Sequence, residues 1–377
     1  MKSTDKKKEV SRLVISCGGT GGHFYPGLTI ARTFKEQGGK VMLLLSGKHA
    51  ESQAETAGKF GIPSAVVPLS VRSSNIFRIL LFLKNLAQGT VKARIAMKNF
   101  RPDAILTMGS FTSIPAALAG MSLKVPLFIH EGNARLGRAN QYLSRYARQM
   151  ALSFPLANPQ KCKCLSTVTG MPVRPELLRD RPERKEALFL INSRYGTDLK
   201  NELPLLLIFG GSQGAAVFNN TVPEALLKQE EYNFQVIHLT GAGHIEKVKK
   251  VYENAGFPRL VIEKSEDMGL FYAASDMVLS RAGGSTISEL AVFGRYAVLV
   301  PYPYAADRHQ DDNAAYHAET GGAQVLANEE CTVEALSVII KDWRLHSEKY
   351  LEKGVAASIN ARPEASEAIL RLIGDSL

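Results

Sequence analysis

Residues 13–27, LVISCGGTGGHFYPG, decide how the chain is read. The apolar run Leu13-Val14-Ile15 has the composition of a buried strand, and it meets four glycines, Gly18, Gly19, Gly21 and Gly22, before His23 and Pro26. A strand ending in small residues and passing into a helix, with Pro26 suited to the helix's opening, is how α/β proteins build a phosphate or nucleotide site. Glycine lets main-chain N–H groups approach an anion, and the positive end of the following helix adds to the attraction. The same loop would also serve tight packing alone. It is not a dinucleotide fingerprint. A G-x-G-x-x-G pattern begun at Gly19 needs glycine where Phe24 stands, and the second apolar run, Val41 to Leu45, leads into Ser46-Gly47-Lys48 without the acid that holds an adenosine ribose. A nicotinamide cofactor does not fit.

Outward from this loop, Leu28, Ala31 and Phe34 give residues 27–37 helical spacing, and the strand at Val41 to Leu45 completes a βαβ opening. The second half starts again in the same way, with Leu205 to Phe209, then Gly210-Gly211-Ser212-Gln213-Gly214-Ala215, then a helical stretch from Asn220 to Leu227. Two such units imply an α/β chain with two Rossmann-like domains facing a shared cleft. Further strands are expected at 104–108, 125–129, 234–239, 259–262, 277–279, 297–300 and 323–326. Residues 155–175 are rich in proline and polar side chains, which places the junction near Met171 to Val173. The expected division is 1–172 and 173–361, with a last helix, about Pro363 to Ile373 within 362–377, crossing back onto the first domain.

The 377 residues carry a formal charge of +10, but the charge is uneven: residues 1–170 hold 24 Lys and Arg against 7 Asp and Glu. A strongly basic half fits an anionic partner, whether nucleic acid, a phospholipid surface or a phosphorylated substrate. Nucleic acid lacks support, since no RNP-like, helix-turn-helix or zinc-finger pattern occurs. The opening MKSTDKKKEV lacks the apolar segment of a secretory signal, and no apolar run reaches bilayer length, so a cytosolic or peripheral location is expected. Cys17, Cys162, Cys164 and Cys331 lack zinc-site spacing and are expected as thiols.

Residues 71–101 read as one long helical region, in which Leu83, Ala87, Val91 and Ile95 recur every four residues and can line a core face. At its start Ile76, Phe77, Leu80, Leu81 and Phe82 surround the helix, with Lys84 and other basic residues interspersed. That composition suits a surface dipping into anionic headgroups, and a buried helix with solvated lysines is the competing reading. The strand ends at Gly109-Ser110-Phe111 and at His130-Glu131-Gly132-Asn133 place polar groups on the edge where open parallel sheets bind ligands.

In the second half, SRAGGSTISELAVFG (280–294) sets a Gly-Gly turn before a helix presenting Thr286 and Glu289 in its first turn. Helix-start amides could bind a diphosphate and the carboxylate a ribose, but Thr286-x-x-Glu289 is equally a capping box. VPYPYAADRHQDDN (300–313) offers groups that read sugar hydroxyls, or a solvated helix start. No Asp-x-Asp occurs, so a metal bridging a diphosphate is not expected, and the leaving group would rely on helix dipoles and Arg174.

The stretches GGTGGHFYPG (18–27), HEGNARLGRAN (130–140), TGMPVRP (169–175), FGGSQGA (209–215), SRAGGSTISELAVFG and VPYPYAADRHQDDNA (300–314) resemble, in order and over almost the whole chain, the MurG family of peptidoglycan synthesis. The resemblance implies a GT-B fold and an inverting transfer of N-acetylglucosamine (GlcNAc) from UDP-GlcNAc to the C4 hydroxyl of the MurNAc sugar of undecaprenyl-pyrophosphoryl-MurNAc-pentapeptide. That reaction turns lipid I into lipid II, at the cytoplasmic face of the bacterial inner membrane, without a tightly bound cofactor. Other cell-wall and division proteins are implied partners. Carried over by motif, donor binding falls to Thr20, Gly21, Gly22, Asn133, Arg174, Ser212, the turn Gly284, Ser285, Thr286, Ile287, Ser288 and Glu289, and His309 and Gln310, with uracil near Ser265. Gly18, Gly19, Gly109 and Ser110 would face the acceptor pyrophosphate. His23 is the candidate base, with phosphate binding by His23 or a base at Glu131 as alternatives. Two departures stand out: Gly109-Ser110-Phe111 where the family usually has Gly-Gly-Tyr, and Gly132 in place of glutamine. Another GT-B enzyme on UDP-GlcNAc, such as an epimerase or glycolipid transferase, or a non-catalytic binding protein, are the competing classes.

Overall fold

The computed structural model describes residues 10–69, 76–179, 181–211 and 213–377, with the side chains of 76–80 left out. The chain divides into two units, Met1–Arg174 with Arg362–Leu377, and Pro175–Ala361.

The first unit is built on strands β1 (Arg12–Ser16), β2 (Lys40–Leu45), β3 (Ser64–Val66), β4 (Ala104–Thr107), β5 (Leu127–Glu131), β6 (Gln149–Leu152) and β7 (Leu165–Val168). They form one sheet in the order β3-β2-β1-β4-β5-β6-β7, and every pairing is parallel. Alternation along β1 feeds two cores. Leu13 and Ile15 join one cluster with Leu43, Leu45, Phe24 and Leu28, while Val14 joins the other with Met42, Leu44 and Ile105. Helices α1 (Gly21–Glu36), α2 (Ala50–Lys59), α3 (Ile76–Phe100), α4 (Ile114–Ser122) and α5 (Arg138–Leu143) connect these strands.

The second unit repeats the plan. Strands β8 (Leu205–Phe209), β9 (Gln235–Leu239), β10 (Arg259–Ile262), β11 (Met277–Ser280), β12 (Tyr296–Leu299) and β13 (Ala323–Val325) pair in the parallel order β10-β9-β8-β11-β12-β13. Its helices are α6 (Pro175–Leu178), α7 (Arg184–Tyr195), α8 (Ala216–Leu227), α9 (Ile245–Val251), α10 (Met268–Ala274), α11 (Gly284–Phe293), α12 (His309–Ala318), α13 (Val333–Leu345) and α14 (Ser347–Ala357). The last helix, α15 (Ala365–Asp375), puts Ile369, Leu372 and Ile373 into the first unit's core beside Leu13 and Ile15.

Several sequence expectations change. The first helix begins at Gly21, so Pro26 lies inside it and Gly21 and Gly22 open its first turn, with Gly18 and Gly19 in the loop before it. Pro26 lacks the N–H that would pair with the carbonyl of Gly22, which keeps that turn open. β3, β6 and β7 are additional to the expected strands; β7 occupies part of the stretch read as a linker because its four residues are all exposed, at the sheet's edge. The face of α3 is also reversed. Leu83 (52% exposed), Val91 (58%) and Ile95 (57%) lie outside with Ala87, while Gly89, Ala93 and Met97 are buried and Phe82, Leu86 and Phe100 half-buried. At about 100° per residue, a strict four-residue repeat drifts about 40° per step and leaves the core face; the packed face alternates steps of three and four. Gly89 sits so close to the neighbouring chain that a Cβ there would stand 2.5 Å from the Pro68 carbonyl oxygen. Among the described residues no helix is long and apolar enough to cross a membrane.

Candidate active site

In the first unit the candidate side chains sit where β1, β4 and β5 end. Gly18 is buried, and a Cβ on it would lie 2.2 Å from the Ser46 nitrogen, so this glycine serves close packing of β1 on the next loop. Gly19 follows with φ +99°, and Thr20 is the N-cap of α1. The Thr20 carbonyl takes the amides of His23 (3.2 Å) and Phe24 (3.1 Å). The amides of Gly21 and Gly22 precede these and, by helix geometry, have no carbonyl a turn back. Thr20 Oγ1 makes no cap bond; it lies 3.0 Å from His23 Nδ1. His23 is half-buried, Gly21 and Gly22 exposed.

The β4 loop closes over this turn. Thr112 Oγ1 donates to the Gly18 carbonyl at 3.1 Å, and a Cβ on Gly109 would stand 3.6 Å from His23 Cδ2. Ser110 has φ 65° and ψ 158°, a region that is essentially glycine's own. The departure from Gly-Gly-Tyr therefore has a physical address: serine stands in a glycine backbone.

At the end of β5, His130 is buried with Nε2 3.1 Å from Ser153 Oγ, and burial lowers its pKa to about 4, so it is neutral. Glu131 is buried and its pKa raised, chiefly by desolvation, which its hydrogen bonds oppose. One carboxylate oxygen accepts the Asn133 amide (3.1 Å) and Nδ2 (3.3 Å); the other accepts the Gly137 amide (3.0 Å) and Asn140 Nδ2 (2.9 Å). These four bonds make Glu131 the hub that holds the 131–140 loop. A Cβ on Gly132 would stand 3.1 Å from Met171 Cε, the movable end of a side chain. The Arg174 guanidinium lies 5.6 Å from the Tyr25 ring centroid.

In the second unit, Ser212 lies outside the described residues. Ser265 Oγ lies 2.7 Å from Tyr195 Oη and accepts the Asp267 amide at 2.9 Å, which fixes the loop after β10. Tyr195 also donates to Asp267, and Arg194 pairs with that carboxylate. The N-cap of α11 is Gly283, so Gly284, Ser285 and Thr286 are the first three helical residues and Glu289 lies in the second turn. That corrects the expected placement and removes the capping box, because Thr286 is not the N-cap. Glu289 Oε2 instead accepts the Tyr272 hydroxyl at 2.9 Å. Ile287 is 1% exposed in the core and its amide bonds the Gly283 carbonyl, so it anchors the helix; Ser285, Thr286 and Ser288 are half-buried. Gln310 Oε1 accepts the Tyr302 amide at 2.9 Å, which orients Nε2 as a donor, and His309 Nδ1 lies 2.8 Å from the Ala306 carbonyl oxygen. Asp307 and Arg308, with φ 51° and 55°, make the sharp turn before them.

Sequence reading missed the supports. Asn313 Nδ2 donates to the Ala282 carbonyl at 3.0 Å, and Arg281 Nη1 donates to the carbonyls of Val300 and Pro301 and to Asn328 Oδ1. Both residues stand inside quoted motifs, but their partners are distant in sequence. Asn140 is another: it ties Glu131 to the His130 carbonyl.

Two doubly wound parallel sheets, each with a glycine-rich loop after its first strand, define a GT-B glycosyltransferase, and residues 13–152 and 205–369 match the N-terminal and C-terminal domains of glycosyltransferase family 28. The "UDP-N-acetylglucosamine--N-acetylmuramyl-(pentapeptide) pyrophosphoryl-undecaprenol N-acetylglucosamine transferase" of Burkholderia ambifaria is 36% identical over 371 residues, covering 96% of this chain and 95% of its own. The protein of the same name from Desulforamulus reducens is 33% identical, covering 96% and 98%. The crystal structure of Acinetobacter baumannii MurG superposes with a TM-score of 0.77 at 28% identity, covering 97% of this chain and 99% of that one. The chain belongs to the MurG family.

Proposed function

We propose that the chain transfers GlcNAc from UDP-GlcNAc to the C4 hydroxyl of MurNAc on undecaprenyl-pyrophosphoryl-MurNAc-pentapeptide, with inversion. The full-length relatedness to enzymes of that name carries the reading. In the second unit, the α11 amides would take diphosphate oxygens, Glu289 the ribose hydroxyls, the main chain near Ser265 the uracil, and Gln310 with His309 the sugar hydroxyls. In the first unit, Thr20, the amides of Gly21 and Gly22, Asn133 and Arg174 suit donor phosphate and sugar, and the Gly19 and Gly109-Ser110 loops the acceptor pyrophosphate. His23 Nε2 removes the proton as the acceptor oxygen attacks the anomeric carbon; the bond from that carbon to the phosphate oxygen breaks and UDP leaves with the electron pair. Preformed amides stabilise the charge arriving on the diphosphate.

The enzyme would work on an anionic membrane surface at the cytoplasmic face. Leu81, Leu83, Val91 and Ile95 are exposed on α3 beside exposed Lys84, Lys92 and Lys98, an apolar and basic strip that fits lipid headgroups. Of the residues that the sequence assigns to that surface, Leu81 and Lys84 are exposed, Phe82 turns toward the packed side, and the side chains of Ile76, Phe77 and Leu80 lie outside the described residues.

The test is incubation with UDP-[14C]GlcNAc and a polyprenyl-pyrophosphoryl-MurNAc-peptide. Formation of a β1,4-linked disaccharide on the lipid supports the reading; epimerised UDP-sugar, or binding without transfer, overturns it.

A further inference from the structure

We propose that Cys162 and Cys164 form a reversible oxidation site, a dithiol that a hydroperoxide converts to an intramolecular disulfide, and that the new bond loosens the 131–140 loop. The two sulfurs lie 3.9 Å apart in the segment that joins β6 to the edge strand β7. Both cysteines are half-buried and so open to a small oxidant, whereas Cys17 and Cys331 are 1% and 2% exposed. Among the described residues no third imidazole, thiol or carboxylate joins the pair to hold a metal ion. Burial, then the neighbouring Cys162, push the Cys164 thiol up to about 12, so it stays protonated. Cys162 stands in sequence between Lys161 and Lys163, both exposed, and is the sulfur that an oxidant meets first.

The chemistry takes two steps. The Cys162 sulfur attacks the O–O bond of the hydroperoxide: an S–O bond forms, the O–O bond breaks, and an alcohol or water leaves with the thiol's proton. The Cys164 sulfur then displaces that oxygen; the S–S bond forms, the S–O bond breaks, and the Cys164 proton departs with the oxygen as water. The two sulfurs have given two electrons and the peroxide has taken them. Closing the bond draws the sulfurs from 3.9 Å to about 2.05 Å and removes the proton that Cys162 donates to the Cys164 carbonyl at 3.4 Å. It also moves two side chains that pack on the core around Val14 and Ile105. The same short segment supports the 131–140 loop. The Ala157 amide donates to the Ala134 carbonyl at 2.7 Å, and Asn158 Oδ1 accepts the Leu136 amide at 2.9 Å. One turn links these supports to the sulfurs, since the Asn158 and Pro159 carbonyls accept the amides of Lys161 (3.1 Å) and Cys162 (3.0 Å).

The experiment uses the full chain, reduced and then titrated with hydrogen peroxide, with intact mass, peptide mapping and hydrogen exchange read on the same samples. The expected result is a loss of two hydrogens that maps to residues 162–164 and is reversed by dithiothreitol, with faster exchange in peptides covering 134–140 of the oxidised form. Cys164→Ser cannot close the bond, and should instead give a sulfenic acid at Cys162 that a dimedone probe traps. Thiols that oxidise singly to sulfinic acid in the parent, or a disulfide that forms while 134–140 exchanges as before, overturn the proposal. Because Asn133 lies on that loop, donor KM should rise about two- to ten-fold on oxidation, the worth of one hydrogen bond, and return with dithiothreitol. That outcome rests on the proposed binding of donor by Asn133. Equal KM in the two forms, beside an Asn133→Ala protein whose KM rises, overturns the link to transfer. Asn133→Ala with parental KM overturns the donor reading instead, while mass and exchange still decide the dithiol.

Discussion

Replacing Ser110 with glycine should stabilise the first unit, an unusual outcome for an edit beside a proposed active site. Ser110 has φ 65° and ψ 158°, and a non-glycine residue in that region costs about 1–3 kcal/mol. Glycine removes the strain but widens the unfolded ensemble, a loss of about 0.4–1 kcal/mol. The side chain gives little back, since its acceptance of the Thr112 amide is long, at 3.4 Å. The Ser113 hydroxyl bond to the Ser110 carbonyl (2.8 Å) is main-chain at this position and survives. The net expectation is about 1 kcal/mol in favour of glycine, or roughly 2–4 °C in Tm for a unit of this size. Differential scanning calorimetry should show the rise, and Ser110→Ala, which keeps the strain and loses the hydroxyl, should not. A Ser110→Gly transition that is unmoved or lower refutes the assignment of strain.

Three further outcomes are expected. Glu289→Gln keeps an acceptor for the Tyr272 hydroxyl, so Tm should hold while UDP-GlcNAc affinity falls by about 1.5–3 kcal/mol; unchanged affinity in a titration would remove Glu289 from the ribose. Changing Lys84, Lys92 and Lys98 to glutamine should weaken sedimentation with anionic vesicles by about 3 kcal/mol, near one per charge, with no loss of fold; full sedimentation would move the membrane surface elsewhere. Burial lowers the pKa of His130 and His317 to about 4 and of His238 to about 3. Below about 6.5 the unfolded chain then binds more protons than the folded one, so stability is complete above that pH and falls toward pH 4, by roughly 2 kcal/mol per histidine at pH 5. The second unit holds two of the three, and in the first the raised Glu131 works in the opposite sense. Calorimetry at pH 8 and 5 should therefore show the second unit losing more, and equal losses would contradict the assignment.

The doubly wound class was legible because apolar runs such as Leu13–Ile15 and Leu205–Phe209 lead directly into glycine loops, a short-range signal. Elements at the sheet edge were not: β7 exposes all four residues, so its sequence carries no burial pattern to find. The face of α3 was not, because hydrophobicity alone does not say which stripe is covered; the close approach at Gly89 and the small Ala93 mark the packed side. In the site, the motif residues were legible by resemblance, whereas Tyr272, Arg281, Asn140 and Asn313 act through partners that only the fold brings near.

The final helix sets a timetable for biosynthesis. Ile369, Leu372 and Ile373 fill a core begun by β1, yet the 187 residues of Pro175–Ala361 leave the ribosome in between. At roughly 5–20 residues per second, that interval lasts about 10–40 s. For that long the nascent first sheet lacks the cover that Ile369, Leu372 and Ile373 give to Leu13 and Ile15, so the first unit completes its core only when the last residues of α15 are free to pack.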